Sequence, residues 1–153
     1  MKFAKLYKQL LKEAEEVSKA AGAIIIAKDT GRILLEYRSP LVDFPLCWST
    51  FGGGKQNNES IEDCCKREIK EELGYSGSIK LDKCYVNKSD NFEYHTFIAE
   101  VPKEFKPKIT METTTAYWFD KGTWPMIKHP GFEECLNDED VKKKLKRFIN
   151  EID

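Results

Sequence analysis

The chain has 153 residues, 41% of them hydrophobic, and a formal net charge of −1. This length suffices for one domain with a hydrophobic core, and the charge balance argues against general nucleic-acid binding. The five cysteines form an odd set without a C-x-x-C pair, which favours reduced thiols in a cytoplasmic protein over disulfides or a zinc site. Because the longest apolar run, residues 20–27, is too short to span a bilayer, we expect no membrane partner.

Apolar periodicity predicts a helix at each end of the chain. Residues 1–19 form an N-terminal extension in which Phe3, Leu6 and Leu10 follow three- and four-residue spacing. This helix either packs on the flank of the domain or provides the contact of a homodimer. Residues 137–152 predict a C-terminal helix with an apolar stripe that consists of Val141, Leu145, Phe148, Ile149 and Ile152.

Between these helices, short β-branched and aromatic runs predict strands separated by turns. The predicted strands cover residues 21–28, 32–38, 46–51, 79–87, 93–101 and 113–120, and residues 124–131 predict a loop. We therefore expect a single domain over residues 1–153, of mixed α+β or layered α/β class, with residues 21–130 as its core.

One helix is predicted in the middle of the chain, over residues 61–73. Ser60 is a favourable N-cap, Asp63 completes a motif similar to a capping box, and Gly74 is a natural residue after the helix end. Both boundaries are therefore marked by local signals.

Three glutamates lie on one face of this central helix. Glu68, Glu71 and Glu72 are three and four residues apart, so each like-charge pair costs roughly 0.2–0.5 kcal/mol. They also lie in the C-terminal half of the helix, where its dipole disfavours anions. A hard divalent cation such as Mg²⁺ or Mn²⁺ would turn this repulsion into a binding site.

Glycines and charged residues surround these glutamates at fixed spacings. In order, the pattern consists of Gly53, Glu59, Arg67, Glu68, Ile69, Glu71, Glu72, Gly74 and Tyr75. It resembles the Nudix box, the signature of the Nudix hydrolases, at every charged and glycine position. An aliphatic residue is usual where Tyr75 stands, which affects packing more than chemistry. Residues 48–53 also resemble the strand that enters the box, with Phe51 where proline is commoner.

The resemblance implies a fold, a reaction and a set of roles. The fold is an α/β/α sandwich, in which a mixed sheet lies between helices. The reaction is the metal-dependent hydrolysis of a nucleoside diphosphate linked to another group. The implied metal ligands are the Gly52 carbonyl and the carboxylates of Glu68, Glu71, Glu72 and Glu112, whereas Glu59 and Arg67 orient the helix and loop.

The identity of the general base stays open. Members of the family use either a glutamate of the box or one from a later loop, so Glu71, Glu72 and Glu112 are all candidates. Glu112 lies six residues before Trp118, a spacing that resembles the loop glutamate. We favour Glu112, because a carboxylate that holds a metal is a poorer free base.

Candidate substrate contacts lie outside the box. Arg38 and Lys55 could each contact a phosphate or simply face solvent, and Phe92 and Tyr94 could stack on a base or pack within the sheet. Residues 89–93 contain neither the proline typical of ADP-ribose hydrolases nor the tyrosine typical of dinucleoside polyphosphate hydrolases. Nucleoside triphosphates, nucleotide sugars and capped RNA all stay open as substrates.

Two rival functions share the implied fold. A catalytically silent nucleotide-binding module would typically lack one of the box glutamates, all of which are present here. An isomerase of isoprenyl diphosphates would need a catalytic cysteine, for which Cys47 is the candidate, together with a modified box. The intact box favours a hydrolase over both.

Overall fold

The computed structural model describes residues 2–15 and 17–150. These form four helices and seven strands. In chain order they are α1 (Lys2–Glu15), β1 (Ser18–Ala27), β2 (Ile33–Arg38), β3 (Trp48–Ser49), β4 (Phe51–Gly54), α2 (Ile61–Leu73), β5 (Lys80–Ser89), β6 (Phe92–Val101), β7 (Thr113–Phe119), α3 (Pro130–Asn137) and α4 (Glu139–Asn150).

Strand β1 is the centre of a mixed seven-stranded sheet with the order β3-β2-β1-β6-β5. Along its whole length it pairs in parallel with β6, which pairs with β5 in an antiparallel manner. The opposite edge of β1 is shared by two antiparallel strands: β4 pairs with residues 20–23, and β2 pairs with Ile25 and Ile26. Strand β7 extends the sheet from β2. This division of one edge brings the glycines of β4 beside the end of β2.

Helices cover both faces of the sheet. Alternate residues of β1 explain this arrangement, because Ala23 and Ile25 pack toward α2 while Ile24 and Ile26 pack toward α3 and α4. All four of these side chains are fully buried. The α/β/α sandwich expected from the sequence is therefore confirmed.

The N-terminal helix is shorter than predicted. Residues 17–19 were predicted to be helical, which was wrong, and residue 16 lies outside the described residues. Helix α1 ends at Glu15, whereas Ser18 and Lys19 already belong to β1. These residues are extended because Ser18 lies opposite Phe92 on β6 and Lys19 accepts a hydrogen bond from the Lys55 amide at 2.8 Å.

Within the described residues, no helix is long and apolar enough to cross a membrane.

Three further elements differ from the sequence prediction. The predicted strand over residues 46–51 is two short strands, β3 on β2 and β4 on β1. The predicted loop over residues 124–131 ends in helix α3, which begins at Pro130, and the C-terminal helix begins at Glu139 rather than 137. Ile152 lies outside the described residues.

Candidate functional site

Helix α2 positions the carboxylates of the candidate site. Its limits agree with the prediction to the residue: Ser60 Oγ accepts from the Asp63 amide at 3.0 Å, and Gly74 adopts φ 68° at the C-terminal end. Cys65, Ile69 and Leu73 are buried against the sheet. Because of this packing, Glu68 and Glu72 lie beside the ends of β2 and β4.

Glu68 packs directly on the backbone of Gly53. A Cβ atom at Gly53 would lie 2.6 Å from the Glu68 carboxyl carbon, so a residue with a side chain cannot occupy this position unless Glu68 moves. Burial raises the pKa of Glu68, an effect that the Arg67 guanidinium partly offsets. The glycine of the box therefore makes room for a box carboxylate.

Arg67 joins α2 to the glycine-rich loop. Its guanidinium donates to both oxygens of Glu59, at 2.8 and 3.0 Å, and to the Gly54 carbonyl at 2.9 Å. A further nitrogen, Nη1, donates to Glu68 at 2.9 Å and to Glu71 at 3.1 Å. The hydrogen bonds from Arg67 and from the Gln56 amide lower the pKa of Glu59 to about 2. Arg67 and Glu59 thus connect the loop to the helix, and their role in orienting the two stays a prediction.

Glu72 lies deeper than its neighbours on α2. Burial, together with the carboxylates of Glu36, Glu68 and Glu112, raises the pKa of Glu72 to about 9, while a hydrogen bond from the Gly52 amide opposes the shift. Its Oε2 atom is buried without a hydrogen-bonding partner among the described residues. A buried carboxylate oxygen that has no donor is suited to a cation.

Glu36 belongs to the same acidic cluster, although sequence reasoning missed it. It lies in β2 with 6% of its surface exposed, accepts from Thr113 Oγ1 at 2.5 Å and lies 3.5 Å from Arg38 Nη1. Burial raises its pKa. The sequence did contain a signal that could have identified Glu36. It is an acidic residue that follows the apolar residues 33–35 and lies on the same strand face as Leu34.

Glu112 approaches the cluster from a different part of the chain. It lies in an exposed turn just before β7, and its carbonyl accepts from the Ser39 amide at 3.0 Å. Its charge contributes to the raised pKa values of Glu36, Glu68 and Glu72. The structure therefore brings this predicted loop glutamate toward the box.

The residues at this site fit a hard divalent cation by their chemistry. As the side chains stand, no three acidic, cysteine or histidine residues in the described part of the chain converge on one point. Arg67 explains this, since it holds Glu68 and Glu71 on its own nitrogen. The Glu71 side chain is 56% exposed, and Glu72 Oε2 has no hydrogen-bonding partner among the described residues. The oxygen donors match the preference of Mg²⁺ or Mn²⁺.

A cavity of about 340 Å³ lies on the α3 side of the glycine strand. Its lining includes Arg38, Phe44, Asn87, Phe92, Tyr94 and His129. Since Gly52 also borders this cavity while the next residue contacts Glu68, the acidic cluster and the cavity meet at β4. The volume is within the range typical of small-ligand sites.

The two basic candidates for substrate contact occupy different environments. Arg38 borders the cavity, but its Nε and Nη2 atoms donate to the Asp43 and Phe44 carbonyls at 2.6–3.1 Å and hold that loop in place. Lys55 lies on the exposed side of the glycine loop, where its Nζ donates to the Gln56 carbonyl at 3.3 Å. A phosphate contact by either residue stays a prediction.

The two aromatic candidates also differ in exposure. Phe92 is 42% exposed and borders the cavity. Tyr94 is half-buried, and its hydroxyl lies 3.1 Å from Thr50 Oγ1. A Cβ atom at Gly22 would lie 1.8 Å from that hydroxyl, so the ring needs a glycine beneath it. Phe92 is thus available to a ligand, whereas Tyr94 forms the floor of the cavity.

Comparisons with known proteins agree with this geometry. The family model of the NUDIX domain matches residues 17–129. A Bacillus subtilis (strain 168) protein named "Putative 8-oxo-dGTP diphosphatase" is 30% identical over 117 residues, which are 75% of each chain. The crystal structure of RenU, a Nudix hydrolase from M. smegmatis, superimposes with a TM-score of 0.68 at 18% identity, covering 87% of this chain and 85% of RenU. A MutT structure from a study of Aliivibrio salmonicida and Vibrio cholerae gives 0.66 at 19% identity, covering 86% and 99%.

Proposed function

The chain belongs to the Nudix hydrolase family, and on this basis we propose that it hydrolyses the diphosphate linkage of a small nucleotide with Mg²⁺ or Mn²⁺ held by Glu68, Glu71 and Glu72. The observation that carries the proposal is the acidic cluster at β4. Burial and mutual repulsion raise the pKa values of Glu36, Glu68 and Glu72, and the Glu72 Oε2 atom has no partner in the described part of the chain. When bound, a divalent cation supplies Lewis-acid charge neutralisation and lowers the pKa of water.

The other polar groups of the cluster have supporting roles in this proposal. The Gly52 carbonyl is a candidate additional ligand, and Arg67 with Glu59 keeps α2 in register with the glycine loop. Glu112 is exposed and lies near the cluster, and its carboxylate makes no hydrogen bond with the residues that the structure describes. We assign it the removal of a proton from the attacking water, while its carboxylate stays an alternative metal ligand.

The cavity and a relative both support the substrate class that we propose. A cavity of about 340 Å³ beside the acidic cluster suits a nucleoside whose phosphates extend toward β4. The name of the Bacillus subtilis relative indicates a guanine nucleotide, so we propose a guanine nucleoside triphosphate, of the normal or the oxidised base, as the substrate. The net charge of −1 favours such a small ligand over long RNA.

The compartment is part of the same proposal. All five cysteines are free, and burial raises the pKa of Cys47, Cys64 and Cys65. Unpaired, protonated thiols favour a reducing compartment, and we propose the cytoplasm. The same burial makes Cys47 a poor catalytic thiol, which disfavours the isoprenyl-diphosphate isomerase reading.

A substrate panel with matched variants tests the function. We expect wild-type protein with Mg²⁺ or Mn²⁺ to release phosphate or pyrophosphate from dGTP or 8-oxo-dGTP faster than from ADP-ribose or a nucleotide sugar. Glu71→Gln removes a ligand charge and should abolish turnover, whereas Glu62→Gln, an equal charge change at an exposed position of α2, should not. Full turnover by Glu71→Gln would contradict the metal assignment. Absence of turnover on every diphosphate would favour a silent binding module.

A further inference from the structure

The first turn of α3 fixes the orientation of an amide at one end of the cavity. Asn87, on β5, donates from Nδ2 to the Gly131 carbonyl at 3.2 Å and to the Glu134 carboxylate. A carbonyl and a carboxylate can only accept, so the NH₂ group of Asn87 must face α3. The Asn87 Oδ1 atom is left without a hydrogen-bonding partner among the described residues.

His129, also at the start of α3, has a fixed tautomer for a similar reason. Its Nδ1 accepts from the Gly131 amide at 3.0 Å, so the neutral ring carries its proton on Nε2. Burial and the Arg38 charge lower the pKa of His129 and so favour the neutral form. Both residues line the cavity, and within the described residues the remaining polar atom of His129 is a donor and that of Asn87 an acceptor.

The side chains of Asn87 and His129 are neighbours at the start of α3. A Cβ atom at Gly131 would lie 3.3 Å from His129 Nδ1 and 3.6 Å from Asn87 Nδ2, so both side chains surround the same glycine. Aromatic rings complete this end of the cavity: Phe44 packs edge-on against His129 with ring centroids 4.8 Å apart, and Phe92 lies at the border. Apolar walls around a few fixed polar groups are typical of a small-molecule site, in which the polar groups set the orientation of the ligand.

We propose that Asn87 and His129 recognise the edge of a guanine-type base, with Asn87 Oδ1 accepting from the ring N–H and 2-amino groups and His129 Nε2–H donating to the base carbonyl. This inference rests on the proposed nucleotide substrate. Guanine presents its carbonyl oxygen beside two donors, the ring N–H and the 2-amino group. The Asn87 Oδ1 atom can accept hydrogen bonds from both donors, whereas adenine offers one amino group. Glu134 acts as a positioning residue, because it contacts Asn87 rather than the base and keeps the amide in one orientation.

Binding of products without metal tests this recognition separately from hydrolysis. We expect calorimetry of wild-type protein to rank GMP above IMP, which lacks the 2-amino group, and IMP above AMP. The preference for GMP over IMP should be about fivefold to tenfold, the value of one hydrogen bond. Asn87→Ala should reduce this preference to less than twofold. An unchanged preference in Asn87→Ala, or tighter binding of AMP than GMP by the wild type, would overturn the proposal.

Glu134→Gln tests the orienting contact without removing any atom that faces the base. The glutamine can donate to Asn87, so the amide loses its single orientation, and the preference for GMP should fall by at least half while kcat on dGTP stays constant and KM rises. Glu133→Gln is the matched control, because it makes the same charge change at the adjacent exposed position of α3. Equal effects of the two variants would overturn the role of Glu134.

The two proposals fail in different ways. Hydrolysis without base preference would refute this inference alone, whereas base-selective binding without hydrolysis would refute only the proposed function.

Discussion

Arg67 donates to both carboxylate oxygens of Glu59, from Nε at 2.8 Å and from Nη2 at 3.0 Å. The two residues are separated by the first turns of α2, so this bidentate pair fixes the helix to the loop that precedes it. The same guanidinium also reaches the Gly54 carbonyl and Glu68. Arg67 therefore determines where the acidic face of α2 lies relative to the glycines of β4.

Arg67→Lys should impair catalysis while the charge is kept. A lysine cannot form the planar bidentate pair and reach Gly54 at the same time, so the loop and the Glu68 carboxylate lose their fixed positions. We expect a loss of about 10- to 100-fold in activity or metal affinity, measured by steady-state kinetics over a Mg²⁺ titration. Arg147→Lys, on the exposed surface of α4, is the control and should match the wild type. Activity within twofold of wild type in Arg67→Lys would count against this positioning role.

Glu112→Gln tests the assignment of the general base. A general base typically contributes about 10²–10⁴-fold to rate, so we expect kcat to fall at least about 100-fold with little change in thermal stability. Single-turnover kinetics at saturating Mg²⁺ measures the chemical step directly. A loss below about tenfold would exclude Glu112 as the base and return the role to Glu71 or Glu72.

Gly53→Ala should uncouple folding from activity. The added Cβ would lie 2.6 Å from the Glu68 carboxyl group, which is the end of a flexible side chain and can turn away. We expect the variant to fold, as judged by circular dichroism, and to lose most of its Mg²⁺-dependent turnover. Gly54→Ala is the matched control, since a Cβ there meets no atom within 4 Å. If both variants keep wild-type turnover, the close packing of Glu68 on Gly53 is not needed for function.

Of the two alternatives for the N-terminal helix, packing on the flank or a homodimer contact, we propose the homodimer because of the apolar surface of α1. Phe3, Leu6 and Leu10 of α1 are 86%, 54% and 53% exposed, which is unusual for such large side chains in one short helix. The double substitution Leu6→Gln and Leu10→Gln should convert a dimer to a monomer in light scattering. Lys5→Gln with Lys8→Gln, on the polar side of the same helix, should leave the dimer unchanged. A monomeric wild-type protein would contradict the prediction.

Local signals in the sequence sufficed for helix α2 and for the family. Ser60 and Gly74 define the two ends of the helix through contacts within a few residues, and the box from Gly53 to Tyr75 lies in one continuous stretch. The predicted boundaries of α2 agree with the structure for that reason. The resemblance to the family likewise implied a mixed sheet between helices.

Contacts between distant segments decided the rest. The helix at the N-terminus ends early because Ser18 pairs with β6, more than 70 residues later in the chain. Glu36 joins the acidic cluster through the packing of β2 beside α2, and Asn87 acquires a fixed orientation only where β5 meets the first turn of α3. Local propensity and residue spacing do not predict these long-range contacts, because each contact depends on the order of the strands in the sheet. The phosphate chemistry was therefore readable from the sequence alone, whereas the cavity that we propose for the base appeared only in the tertiary structure.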